Sequence, residues 1–177
     1  IKEGRRMSAY NDLPEGMQRE TMDVDVLIVG GGSAGLSAAL RLSQQIEDHN
    51  KAIQEGKKTG EQIPEQMIVV LEKASEVGAH SLSGAVMNPK AIEELVPNYR
   101  ELGCPIETEV TYDAVHYLSD GTDFKLPVTP PPFHNIGNVI VSISKLNRWL
   151  ASLCEQKGIN IFPGFAAVEA LYEGDKV

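Results

Sequence analysis

Three consecutive glycines, Gly30 to Gly32, constrain the fold of this chain more than any other feature. They stand in "DVLIVGGGSAGLSAALRL", residues 25–42, directly after an apolar run from Val24 to Val29. That run is apolar enough to predict a strand buried on both faces. Four apolar residues after the glycines follow helical spacing and predict a helix: Leu36, Ala39, Leu40 and Ile46. Since glycine costs backbone entropy, its use at this junction indicates that a partner approaches the backbone.

The spacing Gly30-x-Gly32-x-x-Gly35 is the fingerprint of a dinucleotide-binding turn. The first glycine permits the tight turn, the second lets a pyrophosphate approach, and the third lets the helix lie against the strand. The phosphates then bind the free N–H groups at the helix N-terminus. A glycine-rich turn without a ligand is the alternative, and the strand before and helix after make it less favoured. Gly31 occupies the unconstrained position, so we expect an alanine there to be tolerated.

An acidic residue should close the second strand of such a unit, and Glu72 stands in that place. It ends the apolar run "MIVVLE", residues 67–72, which predicts a buried strand. Its carboxylate can accept hydrogen bonds from both hydroxyls of an adenosine ribose. Residues 47–66 are polar and are interpreted as a helix end plus an exposed insertion, which lengthens the usual spacing. The alternative is an exposed glutamate at a strand end.

The rest of the chain predicts further strands around one more helix. Asp120-Gly121 indicates a hairpin, "NVIVSI" at 138–143 a strand, "INIF" at 159–162 another, and residues 165–177 a hairpin arm. Ser144 is expected to cap a helix whose inner face is Leu146, Trp149, Leu150 and Leu153. The fold class is therefore α/β, a Rossmann-like dinucleotide-binding fold with a parallel sheet and β-hairpin insertions. We expect residues 1–22 to be a polar leader and 23–177 to be part of a truncated dinucleotide-binding domain.

Charge and cysteine content exclude several classes of function. The formal net charge of -9 argues against a nucleic-acid partner, which needs a basic face. No apolar run approaches the roughly 18 residues of a spanning helix. Cys104 and Cys154 cannot by themselves form a metal site, and we expect both to be reduced thiols. No residue is assigned as a metal ligand, and none as an acid–base catalyst.

A longer stretch carries a family resemblance. The sequence "LEKASEVGAHSLSGAVMNPKAIEELVP", residues 71–97, resembles the electron transfer flavoprotein–ubiquinone oxidoreductase family. The segments "GNVIVSISKLNRWL" and "GINIFPGFAAVEALYEGDKV" also fit that family's pattern, so the resemblance covers roughly residues 20–177. It implies that the dinucleotide is FAD. It also implies that the chain is the FAD-binding portion of a longer oxidoreductase.

The resemblance assigns cofactor contacts to ten residues. The pyrophosphate would lie on Gly30, Gly32, Ser33, Ala34 and Gly35. The adenosine ribose would be held by Glu72 with Lys73 beside it, and the backbone near Ala167 would pass the adenine. The segment 78–85 would approach the isoalloxazine, with Ser83 and Gly84 in direct contact. His80 is interpreted as a structural histidine rather than a proton carrier, because the flavin performs the electron chemistry.

The resemblance further implies partners and a location. Electrons would come from reduced electron transfer flavoprotein and leave to ubiquinone at a peripheral membrane surface. That surface would be the cytoplasmic face of a bacterial inner membrane, or the mitochondrial inner membrane in a eukaryote. A 4Fe–4S cluster is expected in the longer protein but not on this chain, which we expect to bind FAD weakly or not at all alone. The alternatives are a geranylgeranyl-reductase-like or FixC-like FAD oxidoreductase, and a non-enzymatic nucleotide-binding module.

Overall fold

The computed structural model describes residues 20–170, which form eight strands and three α-helices. In chain order these are β1 (Val26–Val29), α1 (Ser33–Gln54), β2 (Ile68–Glu72), β3 (Ala85–Met87), α2 (Lys90–Leu95), β4 (Ile106–Glu109), β5 (His116–Ser119), β6 (Thr122–Lys125), β7 (Val139–Val141), α3 (Ile143–Gln156) and β8 (Asn160–Pro163). A 3₁₀ turn covers Pro131–Phe133. Most of the predicted leader, and residues 171–177 of the predicted hairpin arm, lie outside the described residues. Residues 165–170 form no regular element.

A parallel sheet of order β1-β2-β8 is the centre of the fold. Ile28 lies beside Val70, and Val70 beside Ile161, so the three strands run in the same direction in register. Because β1, α1 and β2 are consecutive, they form the predicted strand–helix–strand unit. Strands β3, β7 and β4 form an antiparallel sheet, and β5–β6 form the hairpin predicted at Asp120-Gly121. The predicted α/β class with a parallel sheet and hairpin insertions is confirmed.

Helices α1 and α3 cover one face of the parallel sheet. Leu36 and Leu40 of α1 and Leu150 of α3 share a buried cluster with Ile68 and Val70 of β2. The opposite face of the sheet is exposed at β1. The prediction that β1 is buried on both faces is therefore wrong. Leu27 is 52% exposed and Val29 is 62% exposed, because within the described residues the helices pack only on the other face. Helix packing on one face buries every second residue of an edge strand.

The start of α3 corrects a second prediction. Ser142, not Ser144, is the N-cap: its backbone is extended, and its hydroxyl accepts a hydrogen bond from the N–H of Lys145 at 3.5 Å. Ser144 lies inside the first turn. The helix therefore begins at Ile143, where the extended backbone of β7 ends. Serine caps a helix only from an extended conformation, and residue 142 supplies it.

The polar insertion after α1 folds back on that helix through side-chain bonds. Helix α1 continues to Gln54, so only residues 55–66 lie outside it. The amide of Asn50 donates to the carbonyl of Ile63 at 2.7 Å and accepts from its N–H at 2.8 Å. The ring of His49 contacts the carbonyl of Glu61 at 3.1 Å. The prediction of a helix end plus an exposed insertion is confirmed. None of the helices within residues 20–170 is long and apolar enough to cross a membrane.

Candidate functional site

The glycine turn has the geometry that its spacing predicts. Gly30 has φ +107°, a conformation that side chains rarely adopt, and it lies where the chain leaves β1. A Cβ on Gly35 would lie 2.0 Å from the carbonyl oxygen of Gly30 and 3.2 Å from Ile28 Cγ2. These distances confirm the tight turn at Gly30 and the close packing of helix on strand at Gly35.

The N-terminus of α1 is open around Gly32. A Cβ at Gly32 would meet no atom within 4 Å, and the first N–H with an acceptor is that of Leu36, which donates to Gly32 O at 3.0 Å. The N–H groups of Ser33, Ala34 and Gly35 therefore have no acceptor among the described residues. The first turn of the helix holds no acidic side chain. Free donors together with the helix dipole suit an anion such as a pyrophosphate.

Glu72 ends β2 as the sequence predicts, and its carboxylate lies against the glycine turn. Its Oε2 accepts a hydrogen bond from Gly31 N at 2.9 Å, and its Oε1 accepts one from Ala74 N at 2.8 Å. A carboxylate has about four acceptor positions, so two remain for ribose hydroxyls. The same contact shows that Gly31 is not the unconstrained position we expected. A Cβ there would lie 3.0 Å from Glu72 Cβ, so the glutamate would have to shift.

The other two residues predicted to lie near the adenosine, Lys73 and Ala167, have fewer contacts that define their role. After β8 the chain turns past the end of β2, where Phe165 N donates to Glu72 O at 2.9 Å and Gly164 N to Ala74 O at 2.7 Å. The segment that carries Ala167 thus starts beside Glu72. Ala167 and Lys73 are themselves exposed. Their contacts with a cofactor stay predictions.

The loop of residues 78–84 is held against the start of α3. Gly78 is buried with φ +84°, and a Cβ there would lie 2.7 Å from the carbonyl oxygen of Ser144. The hydroxyl of Ser81 accepts a hydrogen bond from Asn147 Nδ2 at 2.9 Å. His80, Ser83 and Gly84 are exposed on the same loop.

Asn147 joins this loop to the glycine turn. Its Oδ1 accepts a hydrogen bond from the hydroxyl of Ser33, the first residue of α1, at 2.6 Å. The resemblance places Ser33 at the pyrophosphate and places the segment that carries Ser81 near the isoalloxazine, and one amide joins the two serines. Sequence reasoning missed Asn147. The available signal was a polar residue between Leu146 and Leu150 on the apolar face of α3.

Neither a metal centre nor reactive thiols emerge in the part of the chain that the structure describes. No group of three or more His, Cys, Asp or Glu side chains in residues 20–170 could hold a metal ion. Cys104 and Cys154 are both buried and unpaired. Burial raises the pKa of Cys154 to about 11, and it also raises the pKa of Cys104. Such thiols stay protonated and unreactive at neutral pH.

Comparison with curated proteins finds consistent relatives. The chain is 47% identical over 164 residues to electron transfer flavoprotein-ubiquinone oxidoreductase of Pseudomonas aeruginosa, a match that covers 91% of this chain and 27% of the relative. It is 39% identical over 160 residues to the mitochondrial electron transfer flavoprotein-ubiquinone oxidoreductase of Bos taurus, covering 90% and 24% respectively. The chain therefore spans about a quarter of the length of the curated relatives it matches. The resemblance drawn from the sequence is confirmed over most of this chain.

Solved structures share the fold at lower identity. The tetrameric form of 2-methyl-3-hydroxypyridine-5-carboxylic acid oxygenase matches with a TM-score of 0.52 and 20% identity, covering 82% of this chain and 32% of the oxygenase. A geranylgeranyl bacteriochlorophyll reductase-like protein from Thermoplasma acidophilum matches with a TM-score of 0.51 and 18% identity, covering 85% and 32%. No protein-family model matches the chain. These structures support the Rossmann-like α/β fold.

Proposed function

We propose that this chain binds the adenosine and pyrophosphate half of FAD, as part of an electron transfer flavoprotein–ubiquinone oxidoreductase. One observation carries the cofactor assignment: the carboxylate of Glu72 lies beside the glycine turn whose helix presents free N–H groups. The two features supply the complementary halves of a dinucleotide site: a carboxylate that accepts hydrogen bonds from the ribose hydroxyls, and N–H groups that donate hydrogen bonds to the phosphates. The names of the relatives favour a flavin over a nicotinamide dinucleotide.

The residues of this chain would bind and orient the cofactor. Gly30, Gly32, Ala34 and Gly35 would bring the pyrophosphate to the backbone, and Ser33 would contribute its N–H. Glu72 would hold the ribose, with Lys73 beside it and the backbone at Ala167 near the adenine. Ser83 and Gly84 would contact the flavin ring from their exposed loop. When bound, FAD supplies the capacity to accept and donate electrons.

The reaction and its partners rest on the relatives. In a protein of their full length, we propose transfer of electrons from reduced electron transfer flavoprotein to ubiquinone. We further propose a peripheral membrane location, on the cytoplasmic face of a bacterial inner membrane or on the mitochondrial inner membrane. A 4Fe–4S cluster would need cysteines outside this chain, since four thiolates are required and this sequence has two.

Analysis of the bound cofactor tests the proposal directly. The full-length protein that carries this segment is purified, denatured, and its released nucleotide identified by chromatography and absorbance. We expect about one FAD per chain, and electron transfer from reduced electron transfer flavoprotein to a soluble ubiquinone analogue. Release of NAD, or of no nucleotide, would contradict the cofactor assignment. FAD without quinone reduction would instead favour a geranylgeranyl-reductase-like or FixC-like flavoenzyme.

A further inference from the structure

We propose that Asn147 is a positioning residue that decides which serine hydroxyl the site offers to its ligand. In this arrangement the hydroxyl of Ser33 donates its proton to Asn147. The hydroxyl proton of Ser81 is available to an acceptor atom of the bound dinucleotide. The inference rests on the proposed FAD-binding function and deepens it, because it adds a ligand contact at Ser81 and a residue that controls it.

The burial of Asn147 shows that its amide has a specific use. The side chain is 2% exposed and lies among the apolar residues Leu146, Leu150 and Cys154 of α3. Removing an amide from water is unfavourable unless hydrogen bonds replace those lost. Here the replacements are the two bonds to Ser33 and Ser81, at 2.6 and 2.9 Å. A leucine would suit the helix face equally well, so these two bonds distinguish asparagine from an apolar residue.

The chemistry of the amide fixes the direction of each bond. A carbonyl oxygen only accepts, so Ser33 must donate its hydroxyl proton to Asn147 Oδ1. An NH₂ group only donates, so Ser81 must accept from Asn147 Nδ2. The proton of Ser33 is therefore engaged, and a phosphate at this helix end would bind backbone N–H groups alone. The proton of Ser81 has no acceptor among residues 20–170.

The position of Ser81 makes this free proton relevant to a ligand. Ser81 lies on the loop that Gly78 anchors to α3, and Asn147 connects that loop to the first residue of α1. A dinucleotide that binds the N-terminus of α1 and extends toward the loop would reach the hydroxyl of Ser81. The amide of Asn147 sets the orientation of that hydroxyl. The carbonyl oxygens and ring nitrogens of a flavin are acceptors of the kind that the Ser81 hydroxyl would bind.

Variants of the full-length protein that carries this segment separate the two hydroxyls. FAD affinity of the stripped protein is measured by flavin fluorescence, together with the visible absorption spectrum of the bound flavin. We expect Ser81→Ala to weaken binding about five- to tenfold, as loss of one hydrogen bond predicts. Ser33→Ala keeps the backbone N–H that would bind the pyrophosphate and removes only the hydroxyl that Asn147 Oδ1 engages, so it should weaken binding less than Ser81→Ala does. Ser119→Ala, on the separate hairpin, is the matched control and should bind FAD like wild type.

Asn147→Asp is the decisive variant. A carboxylate only accepts, so it keeps the bond from Ser33 but withdraws the Ser81 proton from the ligand. Because the new carboxylate also lies near the pyrophosphate, Asn147→Asp should weaken FAD binding at least as much as Ser81→Ala, and adding Ser81→Ala to Asn147→Asp should cause no further loss. Additive losses would overturn the inference, since they show that Asn147 acts independently of Ser81.

Two other results also oppose the inference. If Ser33→Ala loses affinity while Ser81→Ala does not, the amide is oriented the other way and the assignment of the two protons is wrong. A folded wild-type protein without FAD overturns the proposed function and this inference with it. A wild type that binds FAD, with a Ser81→Ala variant of unchanged affinity and spectrum, overturns the inference alone.

Discussion

The backbone N–H of Gly31 and the carboxylate of Glu72 are joined by a 2.9 Å hydrogen bond, although 41 residues separate them in the chain. The second carboxylate oxygen accepts from Ala74 N at 2.8 Å. The glutamate thus ties the glycine turn to the end of β2, and it holds its remaining acceptor positions at a fixed place beside that turn.

Glu72→Gln should destabilise the turn as well as weaken FAD binding. A glutamine can present its oxygen to only one of the two N–H groups, and its NH₂ would face the other donor. Loss of one such bond predicts a decrease of about 1–3 kcal/mol in the free energy of unfolding. Urea denaturation of the chain measures it, and Glu65→Gln, on the exposed insertion, is the control. Equal stability of Glu72→Gln and wild type would show that the lost hydrogen bond contributes nothing to stability.

Alanine at Gly32 should weaken FAD binding without affecting folding, whereas alanine at Gly35 should destabilise the fold itself. Gly32 has an ordinary φ of -85° and open space at its Cβ, so Gly32→Ala should fold normally. Its methyl group would occupy the path of the pyrophosphate, and FAD affinity should fall more than about tenfold. Gly35→Ala places Cβ 2.0 Å from Gly30 O and should cost roughly 3 kcal/mol of stability or more.

Thermal unfolding and flavin content, measured on the full-length protein with each variant, separate these effects. Gly32→Ala should keep the melting temperature of the stripped wild type and lose flavin. Gly35→Ala should lower the melting temperature even without flavin. A Gly32→Ala protein that retains its flavin would show that the pyrophosphate does not approach residue 32.

The sequence was sufficient for the features that depend on local pattern. Glycine spacing predicted the turn at Gly30, and the apolar run ending at Glu72 predicted the neighbouring strand. The burial of β1 was predicted wrongly, because the number of covered faces depends on which elements pack on the sheet. A single apolar run does not indicate which elements pack on each face of the sheet. Leu27 and Val29 lie on the face that the helices leave exposed.

Contacts between distant side chains also escaped prediction. The contact of Gly31 with Glu72 Cβ depends on how close β2 comes to the turn, and no spacing rule includes that distance. Asn147 was overlooked because a polar residue in an apolar helix face has no meaning until its partners are known. Ser33 and Ser81 lie 114 and 66 residues away in sequence. Only the folded arrangement of α1, α3 and the loop identifies them as a group.

Gly78→Ala should release the loop of residues 78–84 from α3. The substitution combines a φ of +84°, which alanine adopts with strain, with a Cβ only 2.7 Å from Ser144 O. We expect a loss of about 2 kcal/mol or more in the free energy of unfolding, measured by urea denaturation of the chain. Gly137→Ala is the matched control, because its φ is +88° but its Cβ would meet nothing within 4 Å. Similar losses in both variants would mean that backbone strain, and not the contact with Ser144, accounts for the effect.

The buried thiol of Cys154 should make the folded chain less stable in alkaline solution. Burial raises its pKa from an ordinary 9.0 to about 11, so the unfolded chain loses this proton first as the pH rises. The contribution of Cys154 to stability should therefore be fully present well below pH 9 and be lost between about pH 9 and pH 11, by up to roughly 3 kcal/mol. Urea denaturation across that range measures the slope, and Cys154→Ala should flatten it although the variant is less stable at pH 7. Because Cys104 also has a raised pKa, a smaller slope should remain in Cys154→Ala. An unchanged slope in that variant would show that Cys154 ionises equally in the folded and unfolded chain.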